Sequence, residues 1–382
     1  MTNQSKTYCS RPFVHGLIDT NGDVKPCCRA RLSITEFKGK VNYNINQDLI
    51  VDWWSSEYME YMRSNLLAGN RLAECERCYR QEDQDAISFR ERSNKDFGVV
   101  TTQDELPRDW ELRATNLCNL KCMMCTGGNS SALMTEDRII FGLKDLQKTY
   151  DWNDYALDQV HKIFNKLSST ILRGGEPFMV PWIRQTLQDC PEDRASEIEI
   201  MFTTNLTKLT DDWIPILSKF KHIKMGCSID AFDDLNYYIR YPAKWKEILN
   251  GLAVARSLPN VNIFLNVCVQ NLNILYLDKF LLWAQEQNIY VVLDILTTPS
   301  IFEISNLPPE LIDQAINRLE KVREQIDLTM IDNFDGVLNA LHAKDTKPNN
   351  WSQFINYIQA KDKHRKLSIT NFIPELAEYF NE

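Results

Sequence analysis

A chain of 382 residues, 44% hydrophobic and 25% charged, exceeds what one small core requires, so a large globular domain with a smaller companion is expected. A net charge of −9 and a pI of about 5.3 withhold the basic footprint that phosphate binding needs, which excludes nucleic acid as the expected partner. The polar opening MTNQSK is not a signal peptide, and no run approaches the ~20 apolar residues of a membrane span; the expected compartment is the cytoplasm, with no membrane partner. Eleven cysteines in such a reducing compartment are not expected to pair as disulfides, and metal or cluster ligation is the first alternative.

The N-terminal segment, residues 1–97, predicts a hairpin, a helix and a knuckle. VHGLID and VKPCC are short strand-like runs, and the Asn21–Gly22 pair between them favours a tight type I′ turn. An EF-hand reading of DTNGDVK fails, because its glycine falls at the wrong position and Ala30 stands where a bidentate Glu is needed. Met59, Met62 and Leu66 recur at helical spacing, with Gly69 as the stop. Cys9, Cys27, Cys28, Cys75 and Cys78 all lie in this segment, and the last two close it as CERC. Residues 98–109, a mixed polar stretch with Gly98 and Pro107, are expected to be a linker.

From Trp110 the pattern alternates. The strand candidates are WELRA, TILR, EIEIMFTT, HIKMGCS, NIFLNVCV and IYVVLDIL, with helical stretches between them. In DYALDQVHKIFNKL, for instance, Leu157, Val160, Phe164 and Leu167 share a face. The expected fold class is therefore α/β: repeated βα units with right-handed crossovers curve a parallel sheet into a partial barrel over residues 110–298. Residues 299–382 are expected to form a helical extension, in which Leu311, Ile312, Ala315, Ile316, Leu319 and Val322 line one face. KDKHRK, Lys361 to Lys366, is expected to be a solvated helix face or turn. Cys190, Cys227 and Cys268 have no partners by spacing and are expected to be buried like small apolar residues.

NLCNLKCMMC follows the first barrel strand, and active sites of such barrels collect at the C-terminal strand ends. Cys118, Cys122 and Cys125 could bind three irons of a cubane and leave the fourth open. The other readings are three core cysteines or a zinc knuckle, although zinc sites usually carry a complete ligand set. RGGEP ends the second strand, TTN the third and SID the fourth, and Arg240 follows in YYIRYP.

In these residues the sequence resembles the radical SAM superfamily, whose signature is C-x3-C-x2-C after the first strand of a partial (β/α)6 barrel. Met124 stands where that family commonly has an aromatic residue. The resemblance implies a [4Fe-4S] cluster on Cys118, Cys122 and Cys125, with S-adenosylmethionine (SAM) on the open iron. It implies that Gly174, Gly175, Glu176 and Pro177 serve the SAM amino group. Ser228 and Arg240 would serve its carboxylate, with Asn205 and Asp230 as further SAM-site residues. For Arg240 the competing reading is a salt bridge.

The segments YCSRPFVHGLIDTNGDVKPCC and DWWSSEYMEYMRSNLLAGN and the closing CERC resemble the SPASM/twitch auxiliary-cluster domains. Five cysteines suffice for one further [4Fe-4S] cluster, which is the twitch form, and Cys9, Cys27, Cys75 and Cys78 are the implied ligands. Adjacent strand residues point to opposite faces, so one of Cys27 and Cys28 would be a spectator, and the resemblance of VKPC to the family favours Cys27 as the ligand; a structural Zn(Cys)4 site is the alternative. Family members usually carry this domain after the barrel, whereas here it comes first. The resemblance implies reductive SAM cleavage, hydrogen abstraction from a peptide or protein, and an electron donor such as flavodoxin or ferredoxin. A small-molecule substrate is the second reading, and a non-catalytic Fe–S or zinc protein a third.

Overall fold

The computed structural model describes residues 6–83, 87–142, 150–343 and 350–380, so the first residues of MTNQSK lie outside the described ones. Two compact units cut across the segments drawn from the sequence. One comprises Met1–Asn116, Thr149–Phe202 and Lys219–His222; the other comprises Leu117–Lys148, Thr203–Ser218 and Ile223–Glu382.

The first unit is built on strands β1 (His15–Ile18), β2 (Asp23–Lys25), β3 (Tyr43–Asn44), β4 (Asp109–Arg113), β5 (Ser169–Arg173) and β6 (Glu199–Thr204, to its fourth residue), in the order β6-β5-β4-β1-β2-β3. Strands β4, β5 and β6 run parallel, as their apolar alternation predicts. The N-terminal hairpin is not a separate sheet, because β1 pairs in parallel with β4, His15 opposite Asp109. Two features favour this pairing. All four β1 residues are buried, as in strands covered on both faces, and His15 Nδ1 meets Asp109 Oδ2 at 2.5 Å. The hairpin reversal differs from the type I′ expectation. Of its residues only Gly22 has positive φ, +89°, and its N–H closes the turn on the Asp19 carbonyl at 2.8 Å.

Helix Glu57–Ala68 starts on Ser56, whose hydroxyl accepts from the Met59 N–H, and stops at Gly69, burying Met59, Met62 and Leu66 as their spacing predicts. Residues 98–109 are tied down rather than a free connection. Tyr8 Oη exchanges hydrogen bonds with Val100 at 2.7 and 2.8 Å, and Trp54 Nε1 donates to the Asp104 carbonyl at 2.8 Å. Helix Asp154–Phe164 buries Val160 and Phe164 but leaves Leu157 half-exposed. It buries Gln159 instead, because that amide bonds backbone groups of Ile45, Asp48 and Ile50.

The second unit carries β7 (His222–Cys227, from its second residue), β8 (Val261–Val269), β9 (Tyr290–Ile295) and β10 (Ile331–Asp332), all parallel and in the order β10-β9-β8-β7. The tail is thus not wholly helical: β10 extends the sheet edge, and two residues are too few to show periodicity. Helix Pro309–Arg323 buries Leu311, Ala315, Leu319 and Val322, with Ile312 and Ile316 at its margin. DDWIPILSKF forms only a turn and the short helix Ile214–Leu217, with Pro215 in its first turn.

Only half of the basic run KDKHRK is solvated: Lys363, His364 and Lys366 are exposed, whereas Lys361, Asp362 and Arg365 are buried. It ends helix Trp351–Arg365, where the Lys361 and Arg365 side chains are 0% and 1% exposed and pair with Glu136. Buried carboxylate partners explain how these charges leave water. Among the described residues no helix is long and apolar enough to cross a membrane.

Candidate active site

The loop holding Cys118, Cys122 and Cys125 is pinned by its backbone within the second unit. Lys121 N donates to the Tyr241 carbonyl at 2.6 Å, and Met123 N to the Ile239 carbonyl at 2.8 Å. Ser130 caps helix Ser131–Phe141 and donates its hydroxyl to the Leu120 carbonyl at 2.6 Å. Leu120 and Met123 are buried as apolar anchors, so the cysteines are held between fixed points. Cys122 is buried; Cys118 and Cys125 are half-buried. Burial, with Cys122 adjacent, pushes the Cys125 thiol up to about 12. Burial also raises the Cys122 thiol, with Arg240 and Arg365 opposing and Asp230 adding to the rise. Buried thiols that resist ionisation by themselves suit a cationic iron core, which supplies the missing positive charge.

The strand ends following β6 and β7 supply the second unit's other candidates. Asp230 is fully buried and ion-paired with Arg240. Its Oδ2 lies 2.7 Å from Arg240 Nε, and its Oδ1 accepts from Arg240 Nη2 at 3.0 Å and from the Cys268 N–H at 2.8 Å. Asn273 Nδ2 donates to its carbonyl at 3.0 Å. Burial works against the Arg240 charge, but Asp230, and behind it Cys122, raise its pKa, so this guanidinium is permanently cationic and aimed. Ser228 N donates to the Thr204 carbonyl at 2.7 Å. Asn205 Nδ2 donates to Asn119 Oδ1 at 3.2 Å, while Asn119 Nδ2 donates to Thr207 Oγ1 at 2.9 Å. Asn205 therefore grips the turn between Cys118 and Cys122.

RGGEP lies in the first unit, where the β4–β5 pairing continues past both strands: Ala114 N donates to the Arg173 carbonyl at 3.0 Å, and Gly175 N to the Thr115 carbonyl at 2.7 Å. Gly174 has φ +129°, and a Cβ there would stand 2.6 Å from the Thr115 carbonyl oxygen; only glycine fits. Glu176 is 1% exposed and its Oε1 accepts from the Phe178 N–H at 3.3 Å, while Pro177 opens the short turn Pro177–Met179.

The same unit brings four N-terminal cysteines together. Burial raises the Cys75 thiol most, and Cys27, Cys9 and Cys78 are near enough to raise it further. Cys9 is pushed to about 11 and Cys27 to about 12, in each case chiefly by burial. Cys28 instead neighbours Arg113. Arg11, beside Cys9 and Cys27, is buried with its Nη1 unpartnered among the described residues, a donor suited to an anionic cluster. Among those residues no three His, Cys, Asp or Glu side chains are close enough to hold one metal ion. A cubane, taking one thiolate on each iron, needs a wider box.

Sequence reasoning missed four participants. Cys268 is half-buried beside the Asp230–Arg240 pair rather than lost in the core, although Cys190 and Cys227 are buried as expected. Asn119 is hidden inside the motif itself. Arg365 and Lys361 could have been found from their four-residue spacing and the acidic pair Glu136–Asp137 in a helix just after the triplet.

The radical SAM superfamily matches residues 112–284, from β4 to the helix before β9. That stretch is a radical SAM domain. An iron–sulfur cluster-binding domain, SPASM, matches residues 9–79, a span that begins on Cys9 and ends just after Cys78. The chain is 28% identical to an uncharacterized protein of Methanocaldococcus jannaschii over 176 residues, which are 44% of this chain and 55% of that one. Among solved structures it is similar to native anSMEcpe with bound AdoMet, at 16% identity and a TM-score of 0.44, over 63% of this chain and 67% of the other. The same protein with AdoMet and a peptide gives 16% and 0.42, over 60% and 65%. The two domain matches carry the α/β partial-barrel fold and the use of SAM and [4Fe-4S] clusters, catalytic and auxiliary.

Proposed function

We propose that Cys118, Cys122 and Cys125 hold the catalytic [4Fe-4S] cluster, and that this enzyme uses it to modify a peptide or protein. The observation that carries the reading is the pinned three-cysteine loop beside a largely buried, permanently charged Arg240. When bound, cluster and SAM supply the superfamily's chemistry, reductive cleavage to a 5′-deoxyadenosyl radical that abstracts a substrate hydrogen.

The chain's own residues bind and orient. Gly174 and Gly175 allow close backbone approach, and Glu176, with Pro177 fixing the turn after it, offers a buried acceptor for the SAM ammonium. Arg240 and Ser228 serve the SAM carboxylate, a fork and a hydroxyl suited to it. Asp230 acts through Arg240, with which its carboxylate is paired, and Asn205 acts through the loop it grips.

Cys9, Cys27, Cys75 and Cys78 hold the auxiliary cluster, with Arg11 Nη1 as a donor toward it. A reducing compartment, the cytoplasm, keeps these thiols available, and a flavodoxin or ferredoxin supplies the electron. The peptide reading is supported by the SPASM match, because such domains often accompany peptide modification.

The test is anaerobic: iron-replete, reduced protein with SAM should release 5′-deoxyadenosine and methionine, faster with the right peptide. Stimulation by small molecules alone would move the substrate to that class. No 5′-deoxyadenosine from iron-replete protein under any condition would leave a non-catalytic Fe–S protein.

A further inference from the structure

Helix Trp351–Arg365 sets Tyr357, Lys361 and Arg365 at successive i, i+4 positions on one face. Arg365 Nη2 donates to the Lys121 carbonyl at 2.7 Å, and its Nη1 stands 3.4 Å from the Met123 sulfur. Tyr357 Oη reaches the Met123 carbonyl at 3.5 Å. Lys121 and Met123 are the two neighbours of Cys122. The Arg365 guanidinium is itself locked. Its Nε and Nη2 donate to Glu136 at 3.0 and 2.7 Å, and it lies 4.7 Å over the Tyr241 ring, whose carbonyl receives the Lys121 N–H. Lys361 donates to Glu136 at 2.9 Å and also binds Asp137.

A buried ion pair by itself is weak evidence for anything beyond packing. This one differs because its cation also grips the backbone and sulfur on either side of a proposed cluster ligand. Three thiolates on a cubane make an anion, and one-electron reduction adds a further negative charge. A cation fixed in a low-dielectric interior stabilises the more negative state, and cluster potentials follow net charge and exposure.

We propose that Arg365 is a positioning residue for the catalytic cluster: from the C-terminal helix it clamps Lys121 and Met123 around Cys122 and makes the cluster easier to reduce. The proposal rests on the reading that the cysteine triplet holds that cluster.

The test follows the reduced cluster's electron paramagnetic resonance signal that changes on SAM addition, in the full chain with both clusters loaded. Its midpoint potential and its rate of loss to a chelator are read for wild type, Arg365→Lys and Arg365→Met. Arg365→Lys keeps the charge but not the fork, so the midpoint should stay near wild type while loss to chelator speeds up severalfold. Arg365→Met should show the faster loss and a reduction equilibrium about tenfold less favourable, a midpoint lower by about 59 mV for one electron. Wild-type loss rates in Arg365→Lys would overturn the clamp even if Arg365→Met fails to fold. A wild-type midpoint in folded Arg365→Met would overturn the electrostatic part. Absence of any SAM-responsive signal in wild type would overturn the triplet reading, and the proposal with it, without recourse to Arg365 variants.

Discussion

Cys27 and Cys28 are chemically identical neighbours, yet they face different company: Cys27 lies with Cys9 and Cys75, and Cys28 lies beside Arg113. Replacement of Cys27 with Ala should therefore cost the auxiliary cluster, read as a loss of about half the iron, whereas Cys28→Ala should keep it. The reverse result would exchange their roles. Glu176 and Arg240 can be separated from cluster assembly in the same way. Hydrogen bonds to charged groups are worth about 1.5–3 kcal/mol, so Glu176→Ala or Arg240→Ala should weaken SAM binding roughly tenfold or more while retaining iron. Equilibrium binding of SAM to the reconstituted variants decides it, and iron loss would show that these side chains hold the loop instead. Asp230 was legible only as a motif residue; its contacts with Arg240 and the Cys268 N–H could not be read from spacing.

At the scale of elements, the strands were legible because each alternates or runs apolar over several residues, and β4 to β9 fall within a residue or two of their predicted places. Helix Trp351–Arg365 was misjudged in its polar half, since a cationic run looks the same in water as in a buried pair until its partner is known. That pairing makes a pH prediction. Burial works to raise the Glu136 pKa, but hydrogen bonds from Arg365 and Lys361 overcome it and hold the carboxyl down at about 2. Lys121 also faces it at 3.8 Å, and Asp137 shares Lys361. A depressed carboxylate contributes stability that is complete above its ordinary pKa of about 4.3 and is lost as pH falls toward 2. Glu136→Gln should therefore unfold at clearly lower denaturant concentration than wild type near pH 6.5, and the gap should narrow as pH drops below about 4.3. A gap independent of pH would mean that Glu136 contributes packing rather than charge.

For the molecule as a whole, two cubanes of four irons imply close to eight irons per reconstituted chain, and Cys118, Cys122 and Cys125 changed together to Ala should leave about four. Iron and zinc analysis of both proteins settles this; a wild-type value near four with zinc present would make the N-terminal site a zinc site. Local sequence alone determined the βα alternation, the cysteine triplet after β4, the glycines of RGGEP and the cysteine pattern of the N-terminal segment, because periodicity and motif spacing express contacts among near neighbours. Only tertiary structure decided that β1 joins β4, that Ile331–Asp332 extends the sheet, and that Arg365 reaches Lys121 and Met123 across more than two hundred residues of chain. Those choices depend on which distant surface a strand edge or a buried charge finds, and a short strand or a lone cation carries no local pattern that names its partner.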